Sequence, residues 1–119
     1  MAVILLAVCC LAVFPDVSSA VSEQEQKRID ILLDALVKRD DIVFIRNGSK
    51  HTAREAVDHL RLKLSRAGKR ITTAEEFIDH LATASSLSKK PYMIQQPGKE
   101  PEPAGLFLHK MLREVAPRP

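Results

Sequence analysis

The side chains in this sequence able to do chemistry are four histidines, a cluster of serines at positions 85, 86 and 88, a single tyrosine, and a dense set of cations. A serine nucleophile needs a nearby histidine and a constrained turn. No Gly-x-Ser-x-Gly elbow is present, and Asn47-Gly48-Ser49 reads better as a hairpin turn. The histidines, at positions 51, 59, 80 and 109, never stand three or four residues apart on one helix, so no local chelate forms and no metal site is expected. Asp58 and His59 are neighbours in sequence and leave a helix in different directions. Cys9 and Cys10 both lie in the apolar N-terminus, which leaves no thiolate, disulfide or cysteine-type zinc site beyond it. No cofactor is expected.

The basic stretch is more informative. Arg61, Lys63, Arg66, Lys69 and Arg70 fall within ten residues with no acid among them. Such a run suits a phosphate, a lipid head group or an acidic partner. It also suits a solvated helix end, where cations are favoured. Nucleic acid fits poorly, because aromatic residues are not interleaved with the cations.

Strand and helix parity suggest where binding would occur. Arg46 shares strand parity with Phe44, so an inward Phe44 brings Arg46 to the same face. His59 and Lys63 stand four apart on one helical flank, and the serines lead into Tyr92 on a neighbouring strand. These groups define a candidate polar patch of Arg46, His59, Lys63, Ser86, Ser88 and Tyr92, able to hold an anion or a carboxylate. The competing reading is that Arg46 and His59 satisfy loop carbonyls and fix the fold.

The elements that must position this patch are legible from periodicity. Ser22 with Glu25 forms a possible capping box before Ile29, Leu32, Leu33, Leu36 and Val37 at helical spacing. Ile42 to Ile45 reads as a buried strand, Asn47-Gly48 as its turn, and Ser49 to His51 as the return strand. Thr52 with Glu55 caps a helix burying Ala53, Ala56, Val57, Leu60 and Leu64 and ending at Gly68. Thr73 with Glu76 caps another, burying Phe77, Ile78, Leu81 and Ala82. Pro91 to Gln95 reads as a strand, Pro97 to Gly105 as irregular, and Leu106 to Val115 as a helix burying Leu108, Met111, Leu112 and Val115. The expected class is α+β, with about four α-helices packed on a small two- to three-stranded antiparallel sheet. Phe44, Phe77, Tyr92 and Phe107 are expected to meet at one centre.

Length and charge set the frame. The 119 residues make one small domain, too small for a large cofactor fold or a barrel with a deep pocket. Ala2 to Phe14 is an uninterrupted apolar run, shorter than the roughly 20 residues a membrane span requires. Pro15 ends it, and Ser18-Ser19-Ala20 places small residues before a cut between Ala20 and Val21. Residues 1–20 therefore read as a signal peptide and 21–119 as a single exported domain with no stable membrane anchor. Removing residues 1–20 takes away only Asp16 among charged groups, so the formal net charge moves from +3 to +4.

Several motifs together resemble a known family. They are Phe44-Ile45-Arg46-Asn47-Gly48, His51-Thr52, Glu55-Ala56 and His59 to Leu64, then Thr73 to Ile78, Ser85 to Ser88 and Lys90-Pro91-Tyr92. In order and spacing, over about residues 22 to 115, they resemble the YfeK-like family of small exported bacterial proteins. The resemblance implies a Gram-negative envelope and a periplasmic product, and it supplies no activity or catalytic residues. This chain departs from the pattern at Lys89, where relatives carry Gly, and in having no cysteine after position 10. Two functions follow as expectations. One is a non-enzymatic periplasmic binding module for an envelope protein or anionic ligand. The other, less favoured, is a small envelope hydrolase or transferase with a His/Ser site assembled by the fold.

Overall fold

A computed structural model describes residues 21–119; the expected signal peptide and Ala20 lie outside the described residues. Four α-helices pack on one antiparallel sheet, the expected α+β class. In chain order the elements are α1 (Glu23–Val37), β1 (Val43–Arg46), β2 (Ser49–His51), α2 (Ala53–Ala67), α3 (Ala74–Leu81), β3 (Met93–Gln95), β4 (Glu102–Pro103) and α4 (Ala104–Val115). Gly68–Arg70 adds one 3-10 turn after α2.

The sheet order is β2-β1-β3-β4, one strand more than the sequence suggested. The extra strand, β4, lies in the proline-rich stretch expected to be irregular, and it pairs with β3 through Met93↔Pro103 and Ile94↔Glu102. Proline is tolerated there because β4 is an edge strand, with no further neighbour to receive its missing N–H. β3 begins at Met93 rather than Pro91, which makes only an isolated bridge to Ala84. Helix α4 starts at Ala104, two residues early.

The β1–β2 hairpin forms around Asn47-Gly48, with Phe44↔His51, Ile45↔Lys50 and Arg46↔Ser49 paired. Asn47 (φ 51°) and Gly48 (φ 80°) both occupy the left-handed region, as a primed turn demands. A β-carbon at Gly48 would meet nothing within 4 Å, so glycine is needed for its backbone angle and not for space.

The caps show how local sequence and tertiary structure divide the work. The Thr52–Glu55 box closes in both directions. Ser22 and Thr73 each accept the expected backbone N–H, from Glu25 and Glu76. Their glutamates, however, are drawn elsewhere: Glu76 to Thr72, and Glu25 to Arg28 and the Ala74 N–H. Glu25 and Arg28 are buried, and Arg28 makes a two-pronged bond to Glu75 at 2.9 and 2.8 Å. Arg28 also donates to the Ala116 carbonyl, and Arg118 adds a second cation on Glu75. One ion cluster thus ties α1 to the start of α3 and to the C-terminal tail.

The core is continuous. Ile29, Leu32, Leu33 and Leu36 from α1 meet Phe77 and Ile78 from α3, Leu108 and Leu112 from α4, and Ile94 from β3. Leu64 is only partly buried, and Val115, expected to face inward, is exposed. Phe44, Phe77, Tyr92 and Phe107 are all buried, yet among the described residues no ring pair joins them. Phe107 lies under the Arg39 guanidinium, and Tyr92 packs against His59 instead.

Candidate functional site

Sheet register explains how the site forms. Phe44 pairs with Ile94 and Ile45 with Met93, so one further step sets Arg46 beside Tyr92 on the same face of the sheet. Arg46 ends β1, where the chain turns away, so its guanidinium reaches the cleft edge instead of the core. Helix α2 crosses this face and brings Ala56, His59, Leu60 and Lys63 over it. The segment from Ala84 to Tyr92 closes the third side.

A cleft of about 520 Å³ results, lined by Arg46, Asn47, His59, Lys63, Arg66, Arg70, Leu81, Ser85, Ser86, Leu87 and Tyr92 among others. Five of the six residues of the sequence-derived patch line it: Arg46, His59, Lys63, Ser86 and Tyr92. Ser88 does not. Its hydroxyl bonds Asn47 Oδ1 and accepts from the Lys90 N–H, fastening the loop to the hairpin turn. The sequence placed Ser88 with the site by proximity alone, and its partners make it a loop clasp. Arg66 and Arg70 were read as part of a basic run and are found lining the same cleft.

At its centre is a three-residue hydrogen-bond chain. Lys63 Nζ donates to the Tyr92 hydroxyl and to the Ala84 carbonyl, both at 3.2 Å. The Tyr92 hydroxyl lies 3.3 Å from His59 Nε2, with the two rings edge to face at 6.4 Å. Because Lys63 occupies the hydroxyl oxygen as a donor, the Tyr92 proton is left for His59 Nε2, a tautomer assigned from the network. Lys63 Nζ also stands 5.0 Å from the Tyr92 ring centre, a cation–π contact.

The electrostatics of the cleft are one-sided. Burial, reinforced by Arg46, Lys63, His51 and Arg66, lowers the pKa of His59 below 6.5 and keeps the imidazole neutral at pH 7. Burial and Arg46 likewise lower Lys63, and burial raises Tyr92. Among the described residues no carboxylate lines this cleft. Among the described residues Arg46, Arg66 and Arg70 form no ion pair, whereas Arg61 of the same basic run is held by Asp30 at 3.1 Å. The basic run therefore splits: Arg61 braces α2 against α1, and Lys63, Arg66 and Arg70 face the cleft.

The reading in which Arg46 and His59 satisfy loop carbonyls finds no such bond among the described residues; Lys63 holds the Ala84 carbonyl. Among the described residues no serine hydroxyl is hydrogen-bonded to a histidine. Groups of three or more metal-ligating side chains are likewise absent among the described residues.

A family described as "Family of unknown function (DUF5329)" matches residues 23–116. An uncharacterized protein, YfeK, of Salmonella typhimurium strain LT2 is 50% identical over 72 residues, covering 60% of this chain and 60% of that protein. The match thus spans about three fifths of the curated relative's length. No solved structure matches the chain.

Proposed function

The chain belongs to the DUF5329 family of unknown function, and on that premise we propose that it is an exported, periplasmic, non-enzymatic module that binds an anionic ligand in the cleft between α2, the hairpin and the 84–92 segment. The observation that carries this reading is the lining itself: Arg46, Lys63, Arg66 and Arg70 share one concave surface, and among the described residues no carboxylate lines it to neutralise them. Unpaired cations beside low-dielectric walls focus a positive potential and attract counter-ions. Arginine forks suit the planar, two-pronged recognition of phosphate or carboxylate oxygens. Neutral His59 and the Tyr92 hydroxyl add polar contacts without a second charge.

Export is supported by the apolar run before Pro15 and by the small residues up to Ala20. No helix among the described residues is long and apolar enough to cross a membrane. Mass spectrometry of the protein recovered from a bacterial periplasm tests this part. The expected N-terminus is Val21, within a residue or two, and an intact Met1 on periplasmic protein would contradict it.

Calorimetric titration with inorganic phosphate and with acetate tests the binding. Saturable binding that weakens with salt, and weakens at least about tenfold in Arg46→Gln/Arg66→Gln, is expected. Binding unchanged in that folded variant would reject the cleft. A hydrolase or transferase reading keeps one observation, because His59 and Ser86 line the same cleft. It requires turnover of an ester or phosphoester that both Ser86→Ala and His59→Asn abolish.

A further inference from the structure

The anion cleft adjoins a second, smaller cavity. Arg46, His59 and Tyr92 line both and form the wall between them. The smaller cavity has a volume of about 260 Å³ and is lined on its apolar side by Phe44, Ala56 and Leu60. A dry cavity of about 150 Å³ is enough to hold benzene, so a compact ring with a substituent fits here. His51 and Glu55 complete the lining where the anion cleft does not reach.

The two polar groups there differ in what they can offer a ligand. His51 Nδ1 contacts Glu55 Oε2 at 3.4 Å, while His51 Nε2 is buried and has no hydrogen-bond partner among the described residues. That nitrogen is covered by protein atoms, so Glu55 is the polar group of this side that a ligand can reach. Glu55 is held ionised, first by the Thr52 N–H and then by His51. Beyond Arg46 in the shared wall, this side therefore offers a carboxylate acceptor, the reverse of the anion cleft. The charge asymmetry orients a ligand along the line joining the two cavities.

We propose that the two cavities form one bipartite site for a small cyclic anion: its phosphoryl or carboxylate group on the cation side, its apolar ring against Phe44 and Leu60, and a hydrogen-bond donor on the ring's far side for the Glu55 carboxylate. The proposal rests on the anion-binding reading and adds the body of the ligand to it. Shape and charge then act together. The cations alone would accept any anion, and the ring cavity selects among them.

The test compares three probes on the full protein by calorimetry: inorganic phosphate, phenyl phosphate and 4-aminophenyl phosphate. Phenyl phosphate is expected to bind about tenfold or more tighter than inorganic phosphate, because its ring leaves water, and the amino compound tighter still. Ala56→Leu fills the ring cavity from α2 and is expected to bring phenyl phosphate to the level of inorganic phosphate, leaving the latter unchanged. Equal affinity for the first two probes on the wild-type protein overturns the ring site while leaving the anion cleft standing, and needs no variant. Binding of phenyl phosphate that a folded Ala56→Leu protein retains in full overturns its location. Failure of all three probes to bind overturns this proposal together with the reading beneath it.

Discussion

Replacing Glu75 by glutamine keeps the shape of the side chain and removes the charge at the centre of the α1–α3–tail ion cluster. Arg28, its main partner, has a side chain only 7% exposed, so the loss leaves a buried guanidinium with Glu25 as its remaining carboxylate. The Arg28 hydrogen bonds, the largest cause, hold the Glu75 pKa down from 4.5 to about 2, with Arg118 assisting. At about 1.4 kcal/mol for each pH unit, that displacement sets a ceiling near 3 kcal/mol. Glu75 is itself 34% exposed, and solvent screening of such a pair reduces the expected loss to about 1–2 kcal/mol at pH 7. In a domain of this size that is a fall of roughly 5–15 °C in melting temperature. The sign with pH is fixed by the direction of the displacement. A carboxylate protonated near 4.5 when unfolded and near 2 when folded contributes fully above about pH 4.5 and loses its contribution as pH falls from there through about 2. Thermal melts followed by circular dichroism should therefore show a clear gap between wild type and Glu75→Gln at pH 7 that narrows steadily below pH 4.5. Equal melting temperatures at pH 7, or a gap that persists unchanged at pH 2.5, would refute the reasoning.

Three further outcomes follow from backbone angles and from the cleft. Gly48→Val forces a β-branched residue to φ 80° and should destabilise the protein by about 1–2 kcal/mol or more, while Gly48→Asn loses clearly less; equal losses in urea unfolding would reject the primed turn. Lys89 holds φ 62°, so Lys89→Gly should raise stability by roughly 0.5–1 kcal/mol, and a lower unfolding midpoint would contradict the left-handed assignment. His59 should titrate below 6.5 by NMR, and Arg46→Gln should move it upward; a His59 that titrates at 6.5 in the wild-type protein would remove the cationic, partly buried environment.

How far the sequence could be read depended on whether a signal was local. The Asn47-Gly48 turn, the Thr52–Glu55 box and the apolar stripes of α1 and α2 are local, and each is found where periodicity puts it. The patch of Arg46, His59, Lys63, Ser86 and Tyr92 required only strand parity and helical spacing, and those residues line one cleft. Ser88 was misplaced because proximity in a loop does not reveal direction, and its hydroxyl turns to Asn47. Strand β4 was hidden by Pro103 and the prolines around it, since only the sheet order reveals that it is an edge. The buried ion cluster was missed because Glu25 served as a sufficient capping residue on paper. A signal was present: Arg28 stands four residues before Leu32 on the buried stripe of α1, and a cation there must find a carboxylate. Lys89 tells the same story in reverse. The departure from glycine was visible in sequence, and its positive φ appears only in the structure.

The claim that the cleft takes an anion is tested most directly by titrating isotopically labelled protein with inorganic phosphate and following the amides and the His59 imidazole by NMR. The account predicts saturable shifts concentrated on residues 46–48, 59–66 and 84–88. It also predicts a rise in the His59 pKa, because a bound anion offsets the Arg46, Lys63 and Arg66 charges that, after burial, hold it down. Shifts that fail to saturate, or that saturate on another face with His59 unmoved, would contradict it.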